Sequence, residues 1–214
     1  MELYGYFRSS AAYRVRIALA LKGLEYSYIP VNLAPGVSQQ RSEDYLAVNP
    51  QGRVPFFTDG DTGIGQSPAI LEYLDEVYPS VPLLPSDAEG RATVRQLAGL
   101  IGCDIHPLQN VSVLQRLKSE FDADTDDVAA WVSHWVTEGF SAFESLLADT
   151  CGSFCVGDTV TLADIYLVPQ VYNARRFEIS LDAFPNIVRI DQACRQLEAF
   201  RCSAPENQPD APTE

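Results

Sequence analysis

Basic residues are scarce in this chain of 214 residues. The sequence has 15 Lys and Arg against 29 Asp and Glu, which gives a formal net charge of −14 with histidine neutral. Nucleic acids and anionic membranes both attract basic surfaces. A chain as acidic as this one is therefore expected to bind neither. An anionic small molecule would have to be held by a few locally placed arginines.

Cysteine and histidine are also few. The five cysteines are odd in number and include no Cys-x-x-Cys pair, a usage typical of reduced thiols in a cytoplasmic protein. His106 and His134 are the two imidazoles in the sequence, and we therefore expect no metal site. The cysteines are Cys103, Cys151, Cys155, Cys194 and Cys202.

Long apolar runs are missing as well. No run approaches the ~18 residues that cross a bilayer. The start of the chain, Met1–Gly5, has neither the basic region nor the apolar region of a secretory signal. These absences favour a cytoplasmic protein that is not inserted in a membrane.

The first 80 residues alternate between strand-like and helix-like segments. A strand, a helix and a second strand are predicted at Glu2–Phe7, Ala11–Lys22 and Tyr26–Val31. This order implies a parallel strand pair. A third strand at Val54–Thr58, a hairpin turn and a further helix complete a compact α/β domain, which we predict to span residues 1–80.

The second part of the chain is predicted to be helical. A proline-containing linker, Tyr78–Gly90, precedes an all-helical domain over residues 88–214. The run Thr161–Asp164 resembles a capping box and predicts a helix start. The tail, Ser203–Glu214, is rich in proline and acid and is expected to be extended or frayed. Helical periodicity is clearest at Arg91–Cys103, Ala129–Leu147 and Ile187–Phe200.

Two serines, Ser9 and Ser10, stand between the first strand and the first helix. A helix start collects unpaired N–H groups and the positive end of the helix dipole, and so it stabilises anions, thiolates included. A serine hydroxyl can also donate a hydrogen bond to a thiolate sulfur. Simple N-capping explains the same residues equally well.

Two other polar segments allow similar pairs of interpretations. A cis Pro55 would turn the N–H and C=O of Val54 outward, where an extended peptide could pair with them as an added strand. A plain strand-edge proline is the alternative. Gln66 and Ser67 at a predicted helix start could hold a carboxylate or only cap the helix.

In the helical part, His106 is either a polar site residue or a satisfied core histidine. Arg175 and Arg176 are adjacent on a helical stretch, where a solvated face is the simplest interpretation.

Together, in this order, the segments resemble the zeta-class glutathione transferases, the maleylacetoacetate isomerase family. The resemblance covers nearly the full length. In the first half it is carried by Tyr6-Phe7-Arg8-Ser9-Ser10, Tyr13-Arg14-Val15-Arg16-Ile17-Ala18-Leu19, Asn49-Pro50, Val54-Pro55, Gln66-Ser67-Pro68-Ala69-Ile70 and Leu83-Leu84-Pro85. In the second half it is carried by His106-Pro107-Leu108-Gln109-Asn110, Gly157-Asp158, Thr161-Leu162-Ala163-Asp164, Leu167-Val168-Pro169-Gln170-Val171 and Ala174-Arg175-Arg176-Phe177.

The resemblance implies a glutathione transferase fold, with an α/β thioredoxin-like N-terminal domain and an all-α C-terminal domain. It also implies a homodimer that uses glutathione as cofactor. Ser9 or Ser10 would hold the glutathione sulfur, with Ser9 favoured, and Val54 would pair with the cysteinyl part beside cis-Pro55. The other glutathione contacts implied by the resemblance are Gln66 and Ser67 on the γ-glutamyl carboxylate, together with Gln40, His106, Asn110 and Ser112.

The reaction that the resemblance implies is the cis–trans isomerisation of maleylacetoacetate, in aromatic amino acid catabolism. A thiolate adds beside the carbonyl, the bond rotates as a single bond, and the thiolate leaves. Arg8 and Arg176 would face the carboxylates of the small acidic diketo substrate. The family usually has a cysteine where this chain has Ala11, so a mechanism that needs a protein thiol at that position is excluded.

Three rival functions stay open from the sequence. The Ile105-His106-Pro107 segment also resembles the maleylpyruvate isomerases, which tend to have paired arginines where this chain has Val111 and Ser112. A glutathione transferase that acts on α-halo acids would use the same site. A transferase-fold binding protein is the alternative without catalysis.

Overall fold

The computed structural model describes residues 1–212 and divides the chain into two compact units. One unit is Met1–Pro82 together with Gln196–Glu214, of which residues up to 212 are described, and the other is Leu83–Arg195. The predicted domains, residues 1–80 and 88–214, differ from these two units at the C-terminal end, because the last segment of the chain belongs to the first unit. Within residues 1–212, no helix is long and apolar enough to cross a membrane.

A four-stranded sheet forms the centre of the first unit. Its strands are β1 (Glu2–Gly5), β2 (Ser27–Pro30), β3 (Phe56–Asp59) and β4 (Thr62–Gly65), in the order β2-β1-β3-β4. β1 and β2 are parallel, whereas β1 pairs antiparallel with β3 and β3 with β4. The predicted parallel pair and the predicted hairpin are therefore confirmed.

Three helices from residues 1–82 accompany the sheet: α1 (Ser10–Leu21), α2 (Glu43–Val48) and α3 (Ser67–Val77). α1 ends where Gly23 adopts φ +65°, a left-handed conformation that glycine tolerates without a Cβ penalty. The sequence did not predict α2, because six residues with three exposed polar or small positions give little periodicity. α1 and α3 pack on each other, and their apolar faces close the core.

The second unit is helical. Its central helix is the nearly fully buried α7, which begins with the predicted capping box: Asp164 accepts hydrogen bonds from the backbone N–H groups of Thr161 and Cys155, both at 2.8 Å. The helix predicted at Arg91–Cys103 instead passes from α-helix into a π-helical segment, Leu100–Ile105, and a 3₁₀ turn, His106–Gln109. The α-helices are α4 (Ala88–Gly99), α5 (Val111–Glu120), α6 (Thr125–Thr150), α7 (Leu162–Arg176) and α8 (Pro185–Gln196).

The chain then returns to the first unit through residues 198–212, here named the C-terminal strap. The strap contains α9 (Glu198–Cys202) and a 3₁₀ turn, Pro205–Asn207. The expectation of an extended or frayed tail from Ser203 onward is wrong for the described residues. Ser203, Ala204 and Pro205 are buried, because the carbonyl of Ser203 is an acceptor for a buried arginine, Arg16, in α1.

Candidate active site

Three of the predicted site segments leave the sheet at the same end. The strand register pairs Tyr4 with Phe56, and Phe56 with Gly65. The C-terminal end of β1, the N-terminal end of β3 and the C-terminal end of β4 are therefore neighbours. These ends continue directly into residues 6–9, here named the serine loop, into the Val54–Pro55 turn and into the Gln66–Ser67 helix start.

The serine pair lies at the start of α1. Ser9 is the N-cap, and its Oγ accepts a hydrogen bond from the Ala12 N–H at 3.2 Å. The capping interpretation is thus correct for Ser9, but capping uses only an acceptor lone pair, so the hydroxyl proton remains available to donate. Ser10 is the first residue of the helix, and Ala11 follows it without a thiol.

The peptide bond between Val54 and Pro55 is cis, as the resemblance implies. The turn before it is held by the side chains of Tyr45 and Asn49, which both donate to the Arg53 carbonyl at 2.7 Å. In the part of the chain that the structure describes, the backbone N–H and C=O of Val54 have no hydrogen-bond partner. Such a group is ready to pair with an added extended chain.

The start of α3 has the features of a carboxylate site. Ser67 is only 3% exposed, and its Oγ accepts a hydrogen bond from Nη1 of Arg14 at 3.3 Å. Arg14 is itself 2% exposed, so a buried positive charge lies next to the positive end of the helix dipole. Gln66 adopts φ 69°, and its side-chain amide donates to Gln51 at 2.7 Å.

Arg14 was given no role from the sequence, although a signal was present. A charged residue inside the otherwise apolar run of α1 requires a buried partner. One of its hydrogen bonds in this structure goes to Ser67, which belongs to the predicted site.

Gln40 lies in a 3₁₀ turn, Gln39–Arg41, beside the turn that precedes Val54. A Cβ on Gly52 would lie 2.9 Å from the Gln40 carbonyl oxygen, so glycine at position 52 permits this close approach. The side-chain Oε1 of Gln40 is buried, and it has no hydrogen-bond partner among residues 1–212. It is an acceptor that a bound molecule could satisfy.

In the helical unit, the structure brings Asn110 and Ser112 together. Asn110 caps α5 by accepting hydrogen bonds from the Ser112 N–H at 3.1 Å and the Ser112 hydroxyl at 3.0 Å. His106 is half-buried at the start of the preceding 3₁₀ turn. Trp131 of α6 anchors that turn by donating to the Leu108 carbonyl at 2.7 Å.

The two arginines at the end of α7 differ in their surroundings. Nη1 of Arg175 lies 2.7 Å from the buried carboxylate of Asp191, so Arg175 is a structural ion-pair partner. Arg176 is exposed, donates to Oδ1 of Asn173 at 3.0 Å and lies over the Phe177 ring at 4.7 Å. The resemblance assigns a substrate role to Arg176 and none to Arg175, and these surroundings are compatible with that division.

Arg176 is the first donor in a chain of hydrogen bonds between side-chain amides. Asn173 donates to Oε1 of Gln109 at 2.6 Å, and Gln109 donates to Oε1 of Gln170 at 2.7 Å. A guanidinium group can only donate, so Arg176 fixes the direction of every amide in this chain. Sequence reasoning missed Asn173 and gave Gln109 and Gln170 no role, since nothing in their spacing marks them as neighbours.

Arg8 lies in the loop between β1 and Ser9 and is exposed. Its guanidinium carbon is 6.0 Å from the ring centroid of Tyr6 and 5.9 Å from that of Phe7. These distances are at the outer limit of a cation–π contact, so the side chain is only loosely held.

Comparison with known proteins agrees with this architecture. Residues 1–76 match the family model of the glutathione S-transferase N-terminal domain, and residues 135–198 match that of the C-terminal domain. The maleylacetoacetate isomerase of Pseudomonas aeruginosa is 51% identical over 213 residues, covering 99% of each chain.

Two solved structures have nearly the same fold. The holo structure of maleyl pyruvate isomerase, described as a bacterial zeta-class glutathione S-transferase, has a TM-score of 0.96 at 47% identity, covering 99% of this chain and 100% of that one. The maleylacetoacetate isomerase from Methylobacterium extorquens AM1, with bound malonate and GSH, has a TM-score of 0.95 at 37% identity and covers both chains fully. The predicted transferase fold is confirmed, and the chain belongs to the zeta-class glutathione transferases, the family of the maleylacetoacetate and maleylpyruvate isomerases.

Proposed function

We propose that this protein is a glutathione-dependent isomerase that converts maleylacetoacetate to fumarylacetoacetate. The observation that carries the proposal is the shared sheet end from which the serine loop, the cis Val54–Pro55 turn and the Gln66–Ser67 helix start all emerge. The names of the similar proteins point to the same reaction class.

The residues of the first unit fit glutathione. An extended tripeptide needs backbone partners, and the N–H and C=O of Val54 lack a partner in the described chain. Its γ-glutamyl carboxylate needs positive potential, which the start of α3 and the buried Arg14 supply beside Ser67. The buried Oε1 of Gln40 is an acceptor in need of a donor.

When bound, glutathione supplies a thiolate that can add reversibly to the C=C carbon β to the substrate ketone, which moves the electron pair onto the ketone oxygen as an enolate, so that the former double bond can rotate as a single bond. Ser9 would donate its hydroxyl proton to the sulfur, with Ser10 as the second candidate, and the α1 dipole would favour the charged form. Both effects lower the pKa of a thiol from about 8.5. Since Ala11 has no thiol, the protein provides no competing nucleophile at this position.

The substrate is a small acid, and the chain has few cations to offer it. Arg8 and Arg176 are the proposed partners of its carboxylates, and positive charge there also stabilises negative charge that develops on the substrate oxygens. In the helical unit, the proposed glutathione contacts are His106, Asn110 and Ser112. The hydrogen bonds between Asn110 and Ser112 support their assignment as a pair.

Maleylpyruvate is the second candidate substrate, because the maleylpyruvate isomerase of Ralstonia sp is 47% identical over 99% of this chain. Steady-state isomerisation rates with maleylacetoacetate and maleylpyruvate, each with and without glutathione, distinguish the two. We expect the higher kcat/KM with maleylacetoacetate and no enzymatic rate without glutathione. If neither substrate is isomerised, the proposal is wrong.

The other rivals are separated by two further measurements. Rapid turnover of an α-halo acid in the absence of isomerisation would indicate a general glutathione transferase. Calorimetry that detects no glutathione binding would indicate a binding or interaction protein without this cofactor. A homodimer in the cytoplasm belongs to the proposal as well, and sedimentation velocity of the purified protein tests the dimer.

A further inference from the structure

Side chains of α1 and of the C-terminal strap bind the backbone just before Ser9. The Phe7 N–H donates to Oδ2 of Asp210 at 2.9 Å, and the Phe7 carbonyl accepts from Nη2 of Arg16 at 2.9 Å. The Tyr6 carbonyl accepts from the Ser9 N–H at 2.9 Å. The direction in which Ser9 leaves the sheet is therefore set by two side chains, one from α1 and one from the C-terminal strap.

Arg16 joins the same loop to the strap a second time. Its guanidinium is 0% exposed, and Nε donates to the Ser203 carbonyl at 3.0 Å while Nη2 donates to Phe7. The Tyr13 ring stacks on this guanidinium at 5.3 Å, and the Tyr13 hydroxyl donates to the Phe200 carbonyl at 3.3 Å. The strap is thus attached to α1 and to the serine loop at several points.

From residue 199 onward the strap lies beyond the regions that the two family models match, since the C-terminal match ends at residue 198. Asp210 lies 203 residues from Phe7 along the chain, yet its carboxylate makes a direct bond to the loop. A hydrogen bond between a backbone N–H and a carboxylate is charge-assisted and directional, so it can fix the loop geometry.

We propose that Asp210 is a positioning residue for the reaction, which holds the serine loop so that the Ser9 hydroxyl reaches the glutathione sulfur. This inference rests on the proposed role of Ser9. Asp210 touches neither glutathione nor substrate in this proposal, because its carboxylate acts through the Phe7 backbone. A displacement of about 1 Å at a catalytic group can lower a rate by roughly 100-fold.

The test compares Asp210→Ala, Asp210→Asn and Asp210→Glu with the control Glu206→Ala, which changes an exposed acidic residue of the same strap. The pKa of bound glutathione is read from the ultraviolet absorbance of its thiolate, together with kcat, the KM for glutathione and the melting temperature. Asp210→Ala should raise the pKa of the bound thiol and lower kcat roughly tenfold or more, within the range that misplacement produces.

The two conservative variants separate positioning from folding. Asp210→Asn keeps an acceptor at the same place and should preserve most of the activity, whereas Asp210→Glu keeps the charge but moves the acceptor and should lose it. The control should match the wild type. A bound-thiol pKa and kcat unchanged in both Asp210→Ala and Asp210→Glu, with only the melting temperature lowered, would overturn the inference.

Failure of the proposed function has a different signature. If glutathione bound to the wild-type protein keeps the pKa of free glutathione, the serine loop does not stabilise a thiolate. That result would overturn the role of Ser9, and the role of Asp210 with it.

Discussion

Replacement of Ser9 by alanine should affect stability and catalysis separately, because its hydroxyl has two roles. The Oγ lone pair caps α1 through the Ala12 N–H at 3.2 Å, and the hydroxyl proton is proposed to bind the thiolate. Loss of an N-cap serine costs about 1 kcal/mol of unfolding free energy. Ser10 begins the helix, where alanine is a good helix former, so Ser10→Ala should leave stability nearly unchanged.

The catalytic effect follows from the hydrogen bond to a charged sulfur. Such a bond contributes about 1.5–3 kcal/mol, so Ser9→Ala should lower kcat/KM by roughly 10- to 100-fold. The pKa of the bound thiol should rise by about 1–2 units in the same variant. Urea denaturation followed by circular dichroism measures the first effect, and steady-state isomerisation with an ultraviolet titration of the thiolate measures the second.

A comparison of Ser9→Ala with Ser10→Ala shows which of the two serines holds the sulfur. If Ser10→Ala loses the rate and Ser9→Ala loses only stability, then Ser10 holds the sulfur and Ser9 is merely a cap. Unchanged turnover in both variants would remove serine from the mechanism.

Three other predictions follow from the helical unit. Asn173→Ala removes the acceptor that orients Arg176, so the KM for the acidic substrate should rise roughly three- to tenfold, the effect of one hydrogen bond; a change confined to the KM for glutathione would contradict this. Asp164→Ala leaves two buried N–H groups unpaired, so urea denaturation should show that the free energy of unfolding falls by about 2–4 kcal/mol. A fall of less than about 1 kcal/mol would contradict this prediction. Burial raises the pKa of Cys155 and of Cys194, so both stay as neutral thiols at about pH 8. Ellman's reagent should therefore label these two cysteines only after denaturation. Rapid labelling of all five cysteines in the native protein would be inconsistent with the fold.

The elements that the sequence predicted best have strong local signals. The start of α1 was predicted from its cap serines, and the start of α7 from its capping box, because both depend on neighbours within four residues. The hairpin between β3 and β4 has the same local origin. The short α2 was missed because so few residues show no clear periodicity.

In the candidate site, too, the sequence predicted some features and not others. The cis peptide at Pro55 was implied by a resemblance, since the residues alone allowed a plain strand-edge proline as well. Partners that are distant in the sequence could not be predicted. The bond from Phe7 to Asp210 spans 203 residues and the bond from Arg14 to Ser67 spans 53, and no periodicity or spacing relates such pairs.

The strap illustrates the limit of composition as a guide. Proline and acidic residues from Ser203 onward predicted an extended or frayed tail. In the described residues, a buried guanidinium on α1 instead draws the Ser203 carbonyl into the unit, since a buried charge needs acceptors. A single hydrogen bond between an arginine and a carbonyl therefore influences the structure of this segment more than its composition does.

The central claim is that glutathione acts as a regenerated nucleophile and that the protein contributes no sulfur of its own at the α1 start. Its most direct test is isomerisation of a large excess of maleylacetoacetate over glutathione, after alkylation of the accessible cysteines, with free thiol measured throughout. We predict full conversion to fumarylacetoacetate, no fall in free glutathione, and no conversion when glutathione is left out. Consumption of glutathione in step with product, loss of activity on alkylation, or conversion without glutathione would contradict the account.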